Sequence, residues 1–139
     1  MRQYLVAHPL DSAVCGDLVH QVEQQIIAEA CSTNQAAAVS IETYCTYQRN
    51  QFGYQAASPL ERALIEHVVL CWLRLYVTEN RYEQRMKENL SLTQADYWER
   101  KLSTHQTRYL RAVETLARIR KLGIHVQINV ARQQIVAGT

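Results

Sequence analysis

Only four glycines occur in 139 residues, none in a glycine-rich run, so there is no loop of the kind that cradles a nucleotide phosphate. Cysteine is equally sparse. Cys15, Cys31, Cys45 and Cys71 show no close CxxC spacing, which removes the common zinc and dithiol patterns. No secretion signal is expected either, because the apolar run Leu5–Ala7 is short and Pro9 follows it, so the thiols read as reduced groups of a cytosolic protein. No apolar stretch reaches the roughly 20 residues that cross a bilayer, and the greasiest one carries Arg74 in its middle. Neither sign of charge dominates. The net charge of +2 does not by itself point to nucleic acid. No repeat or low-complexity tract is present, and a hydrophobic content of 47% supports one domain with a modest core.

What is present is helical periodicity, centred on Ser58 to Gly123. Ser58-Pro59-Leu60-Glu61 opens a helix with a capping serine, a proline at the first helical position and a glutamate three residues past the cap. Leu60, Leu64, Val68, Cys71, Trp72, Leu75 and Tyr76 then recur at helical spacing, while Ile65, Val69, Leu70, Leu73 and Val77 fill the other side. Between Ala63 and Val77 the helix is apolar almost all round, and one antiparallel neighbour covers only a stripe. More helices, or a second copy of the chain, must complete the cover. Past Glu79 the surface turns polar, with Glu83 and Lys87 spaced as a favourable i,i+4 pair. Ser91-Leu92-Thr93-Gln94 is a second capping box, starting a helix there or at Thr93. That helix keeps a stripe of Trp98, Leu102, His105, Tyr109, Ala112, Leu116 and Ile119, and Gly123 should stop it after Arg118, Arg120 and Lys121. Each arm would be roughly 40 Å long.

Upstream, Met1–Leu10 reads as an irregular arm, and Asp11 or Ser12 should cap an amphipathic helix carrying Cys15, Leu18, Val22 and Ile26. The cluster Cys31-Ser32-Thr33-Asn34 is a turn. Residues 35–51 mix β-favouring side chains with a helical face of Ala37, Ile41, Tyr44 and Cys45, and are assigned helix. After Gly123 the apolar period changes to two, with Ile124, Val126, Ile128 and Val130 alternating with His125, Gln127 and Asn129. This predicts a strand-like tail with no partner strand in the chain, able to pair with another copy or another protein.

The expected fold is therefore all-α. It has two shorter helices (12–31 and 35–51), a long antiparallel hairpin (59–89 and 93–122), and an extended tail (124–139) beyond a helical domain of residues 1–123.

Ser58-Pro59-Leu60-Glu61-Arg62-Ala63-Leu64-Ile65-Glu66, Leu70-Cys71-Trp72-Leu73-Arg74-Leu75, Ser91 to Leu102, Arg108 to Ala112, Leu116 to Leu122 and Val126 to Ala131 together resemble a family of small bacterial helical proteins. The likeness covers the C-terminal two thirds and implies the fold but no activity. A looser likeness is to phage small terminase subunits, which combine a helix-turn-helix, a helical oligomerisation hairpin and a C-terminal strand that joins a ring. Gln25 to Ala37 is similar to the first helix and turn of such a module, with Ala28 at the helix crossing and Gln35 beginning the reading helix. Ser32 stands where glycine is common, and Val39 falls one position late.

Lys101, Arg108, Arg111 and Arg118 share one face of the second long helix, where with Tyr97 and Tyr109 they would suit DNA or RNA phosphates. A solvated, solubilising face is the favoured alternative. His67 and Cys71 lie four apart, a metal-binding spacing, but no second pair completes four ligands and core packing is favoured. His105 would serve as a pH-sensitive interface residue, or more plainly as a packed histidine. No serine, histidine and aspartate arrangement stands out. No metal, cofactor or small-molecule substrate is expected. The sequence favours a non-enzymatic, self-associating helical interaction protein of the cytoplasm with no membrane attachment. Its interface would use Leu70, Leu73 and Val77 and, in the tail, Val126, Ile128 and Val130. A nucleic-acid adaptor using Gln35 or the basic face comes second, and a small hydrolase or metal enzyme third.

Overall fold

The computed structural model describes residues 17–137, with the side chains of 124–131 and 135–137 outside that description. The N-terminal arm, the Asp11 or Ser12 cap and Cys15 also lie outside it. Four α-helices and one 3₁₀ turn make up the described chain, and no strand occurs among the described residues.

Local capping chemistry sets the boundaries. Helix α1 (Leu18–Cys31) begins where an Asp17 carboxylate oxygen accepts the His20 N–H at 3.0 Å. It ends at Ser32, whose φ of 49° turns the chain and whose N–H donates to the Ala28 carbonyl. Asn34 then caps α2 (Gln35–Gln51) by accepting from the Ala37 N–H at 3.0 Å, so the β-favouring Val39, Ile41 and Thr43 fold as helix. Gly53 closes this helix at φ 74°, a left-handed conformation that costs glycine little. A 3₁₀ turn (Tyr54–Ala56) leads to α3 (Pro59–Met86), opened by Ser58 Oγ accepting from the Glu61 N–H. Helix α4 (Leu92–Ala137) starts with a reciprocal box: Ser91 Oγ accepts the Gln94 N–H at 3.3 Å, and Gln94 Oε1 accepts the Ser91 N–H at 3.1 Å.

Helix α3 is the centre of the bundle. It lies against α1, α2 and α4, and Ile65, Val68, Val69, Cys71, Leu73 and Leu75 are buried along it. Ile27 arrives from α1, Cys45 from α2, and Ala112 with Leu116 from α4. Burying a Leu, Ile or Val side chain of this kind contributes about 1.5–3 kcal/mol. The cover that the Ala63–Val77 span requires is thus supplied largely within one chain. Leu73 is 1% exposed.

Three expectations are corrected. Helix α1 starts at Leu18, capped by Asp17, rather than at residue 12. Helix α3 ends at Met86 rather than at 89, and among the described residues Lys87 forms no ion pair with Glu83; instead Arg85 pairs with Glu88 at 2.9 Å. The predicted strand-like tail is helix. Helix α4 passes through Gly123 and continues to Ala137. The reason is hydrogen bonding: a lone strand leaves its N–H and C=O groups to water, whereas a continued helix satisfies them one residue at a time. Gly123 opposes this by only about 1 kcal/mol.

Candidate functional site

Three features stand out on the bundle: an ionic clasp, an aromatic row with an apolar hollow beside it, and a cationic trough. The clasp joins α1, α2 and α3. Arg49 of α2 donates from Nε to Glu66 of α3 at 2.9 Å, with Nη2 2.8 Å from the same carboxylate oxygen, and donates from Nη2 to Glu23 of α1, which is 3% exposed. Burial works against the guanidinium charge, but the bonds to Glu66 and Glu23 outweigh it and hold Arg49 protonated well above its ordinary range. The neighbouring Cys45 thiol is pushed up to about 11, first by burial and then by Glu23, so it is an inert core group.

The aromatic row crosses from α2 to α3. Tyr47, Tyr44, Trp72 and Tyr76 follow one another at ring-centroid separations of 5.7, 5.0 and 5.3 Å, with the three tyrosines about half exposed. Beside it, a hollow of about 360 Å³ opens between α1, α2 and α3, lined by Cys31, Ile41, Trp72, Leu73 and Val77 among others.

The trough runs along α4 and, from Arg108 onwards, into the crease between α4 and α3. One hollow of about 310 Å³ is lined by Tyr97, Arg100, Lys101, Thr104, His105 and Arg108. A second of about 210 Å³ shares Arg108 and adds Leu64 and His67 from α3 and Arg111, Ala112 and Thr115 from α4. No carboxylate lines either hollow. His105 is 8% exposed, and its pKa is lowered by burial and then by Arg108, Lys101 and Arg74. Arg74 of α3 therefore belongs to the same electrostatic neighbourhood.

The residues singled out from the sequence separate here. Lys101, Arg108 and Arg111 come together in the trough, whereas Arg118 pairs with Glu114 at 2.6 Å. Arg120 is drawn to the start of the hairpin, donating to the Phe52 carbonyl and lying 4.0 Å from Glu61. Gln35 is exposed at the start of α2, a helix whose one arginine is tied into the clasp. Ala28, expected at a close helix crossing, is exposed, so α1 and α2 do not use it for the tight packing of a helix-turn-helix. Ser32 adopts the positive φ for which glycine is usual. Of the interface candidates, Leu73 is core, Leu70 and Val77 are half-buried, and the side chains of Val126, Ile128 and Val130 fall outside the description. His67 Nε2 and Cys71 Sγ stand 3.6 Å apart, and no group of three His, Cys, Asp or Glu side chains suited to a metal occurs among the described residues.

Sequence reasoning did not associate Arg74 with the basic face, because that proximity depends on the register of α3 against α4, and it assigned His105, one turn from Lys101 and Arg108 on the same helix, to the inner stripe. The wide spacing of Glu23, Arg49 and Glu66 likewise concealed the clasp. Among the described residues no helix is long and apolar enough to cross a membrane. Comparisons with family models, curated proteins and solved structures find no match.

Proposed function

We propose that this chain is a non-enzymatic, self-associating helical interaction protein of the cytoplasm, and that the C-terminal part of α4 is its contact element. The supporting observation is one of length. Helix α4 has 46 residues against 28 in α3, so it outruns its neighbour by roughly 27 Å at 1.5 Å per residue. At the backbone level α3 is the helix packed on α4 among the described elements, and the contact of Arg120 with Glu61 sets where the α3 N-terminus lies along it.

An isolated helical extension of this size is marginal in water, and one rich in Ile and Val has below-average helix propensity. In the sequence, Ile124, Ile128, Ala131 and Ile135 recur at steps of four, three and four, the repeat of a coiled-coil seam. Pairing of two such extensions through the same seam gives a symmetric, closed dimer.

Light scattering of the full chain, and of a chain ending at Gly123, tests the reading. The full chain should have at least twice the mass expected of one copy, and the shortened chain should be monomeric with its remaining helix content intact by circular dichroism. A monomer in both cases rejects self-association; equal oligomers in both move it away from α4.

A further inference from the structure

Eleven of the described lysines and arginines divide into two groups by partner; Lys87, Lys121 and Arg132 are exposed, have no ion pair among the described residues and line neither hollow of the trough. Arg49, Arg81, Arg85, Arg118 and Arg120 are each within 4.0 Å of a carboxylate, and Arg62 donates to the Tyr54 and Gln55 carbonyls. Arg74, Arg100, Arg108 and Arg111 have no ion pair among the described residues and are exposed, while Lys101 sits over the rings of Tyr97 and Trp98 at 5.7 and 5.5 Å. These five are the cations in and beside the α3–α4 trough. Like charges kept together without counter-ions cost stability through repulsion, and the cost is removed when an anionic partner binds.

Geometry selects among anionic partners. From Arg100 to Arg111 the cations extend over about 16 Å of α4, and the phosphates of a fully stacked strand rise about 3.4 Å per residue and those of an extended strand more, so at most about four phosphates fit alongside. Tyr97, 58% exposed, stands at the end of the row nearest the hairpin turn, with a ring face for a base. A membrane surface would call for large apolar side chains ringing the same face, and here Leu64 is the one large aliphatic side chain in walls that otherwise carry Ala112, Thr104, Thr115 and His105 between the cations. Stacking on the exposed Tyr97 ring calls for a base that is free of a pairing partner, which a single strand offers and a duplex interior does not.

We infer that the trough from Tyr97 to Arg111 binds the sugar–phosphate backbone of a single strand of nucleic acid, with Arg74 bordering it from α3. Lys101, Arg108 and Arg111 neutralise phosphates, and Tyr97 stacks on a base. Recognition is by backbone charge and ring stacking, without sequence preference. This site is separate from the contact element at the end of α4, so the chain ending at Gly123 retains it.

Fluorescence anisotropy with a labelled oligothymidylate of about 15 nucleotides, an RNA of equal length and the corresponding duplex tests the assignment. With about four phosphates engaged, log affinity should fall against log salt with a slope near −3, or about 60-fold between 50 and 200 mM salt. The double variant Arg108→Ala/Arg111→Ala should lower that slope by about 1.4, and Tyr97→Ala should weaken binding at least about 5-fold. Arg81→Ala/Lys121→Ala removes the same charge outside the trough and should leave affinity within about 2-fold. Circular dichroism of every variant confirms that each is folded. Absence of binding at 50 mM salt, equal loss in both double variants, equal affinity for duplex and single strand, or capture by anionic phospholipid vesicles without capture by the oligonucleotide would each overturn the proposal.

Discussion

Arg49 is the side chain on which the packing of three helices converges. Its removal by Arg49→Ala leaves the buried Glu23 and the half-buried Glu66 facing each other without a cation, and breaking a buried pair in this way costs about 3–5 kcal/mol. Urea unfolding followed by circular dichroism should show the midpoint falling accordingly, and Arg49→Lys should lose less because the charge remains. His105 is a second sensitive position. Its folded pKa lies below the ordinary value, chiefly through burial and then through Arg108, Lys101 and Arg74. Below the unfolded pKa of about 6.5 the unfolded chain binds the proton more readily, so stability is lost as pH falls from 7 towards 5. His105→Gln should flatten that part of the stability–pH curve, and an unchanged slope would assign the acid sensitivity to other groups. Individual side-chain roles of this kind were only partly legible in the sequence. The spacing of Lys101, Arg108 and Arg111 along one helix identified a basic face, but it placed Arg118 there too; Glu114, one turn earlier, claims that guanidinium. Arg74 could not be associated with them, since α3 and α4 meet only once the hairpin closes.

Among the helices, the most readable features were those written in consecutive residues. Asn34, Ser58 and Ser91 each accept a backbone N–H three residues on, as the capping patterns imply. The C-terminal segment was misread for a physical reason. Alternating Ile and Val satisfy a period of two, but alternation stabilises a strand only when an adjacent strand receives its hydrogen bonds, and the described chain has none. With that partner missing, α4 propagates through Gly123, where a methyl group would meet nothing within 4 Å. Gly123→Ala should therefore stabilise the helix by about 1 kcal/mol, raising the thermal midpoint of a domain this size by about 2–4 °C. Loss of stability in that variant would argue for a bend or a close approach at this position that a continuous helix does not require.

For the molecule as a whole, the inference that the span around Trp72 needs several neighbours was sound, and the neighbours are α1, α2 and α4 of the same chain. The alternative to it, cover of that span by a second copy, lost its reason once Leu73 was buried intramolecularly, and the case for association passed to the far end of α4. The two regions should differ in how their backbone amides exchange with deuterium. Around Ile65 to Leu73, protection depends on unfolding of the whole bundle and should be strong and independent of protein concentration. On the proposed reading the helix from Ile124 to Ala137 gains its cover from a second copy, so its amides should exchange rapidly in dilute solution. If two copies pair through this segment, mass action makes its protection rise with concentration over the range in which the scattering mass increases. Slow exchange that does not vary with concentration would mean that the segment is held within one chain, and rapid exchange at every concentration would mean that it is not the element through which copies meet.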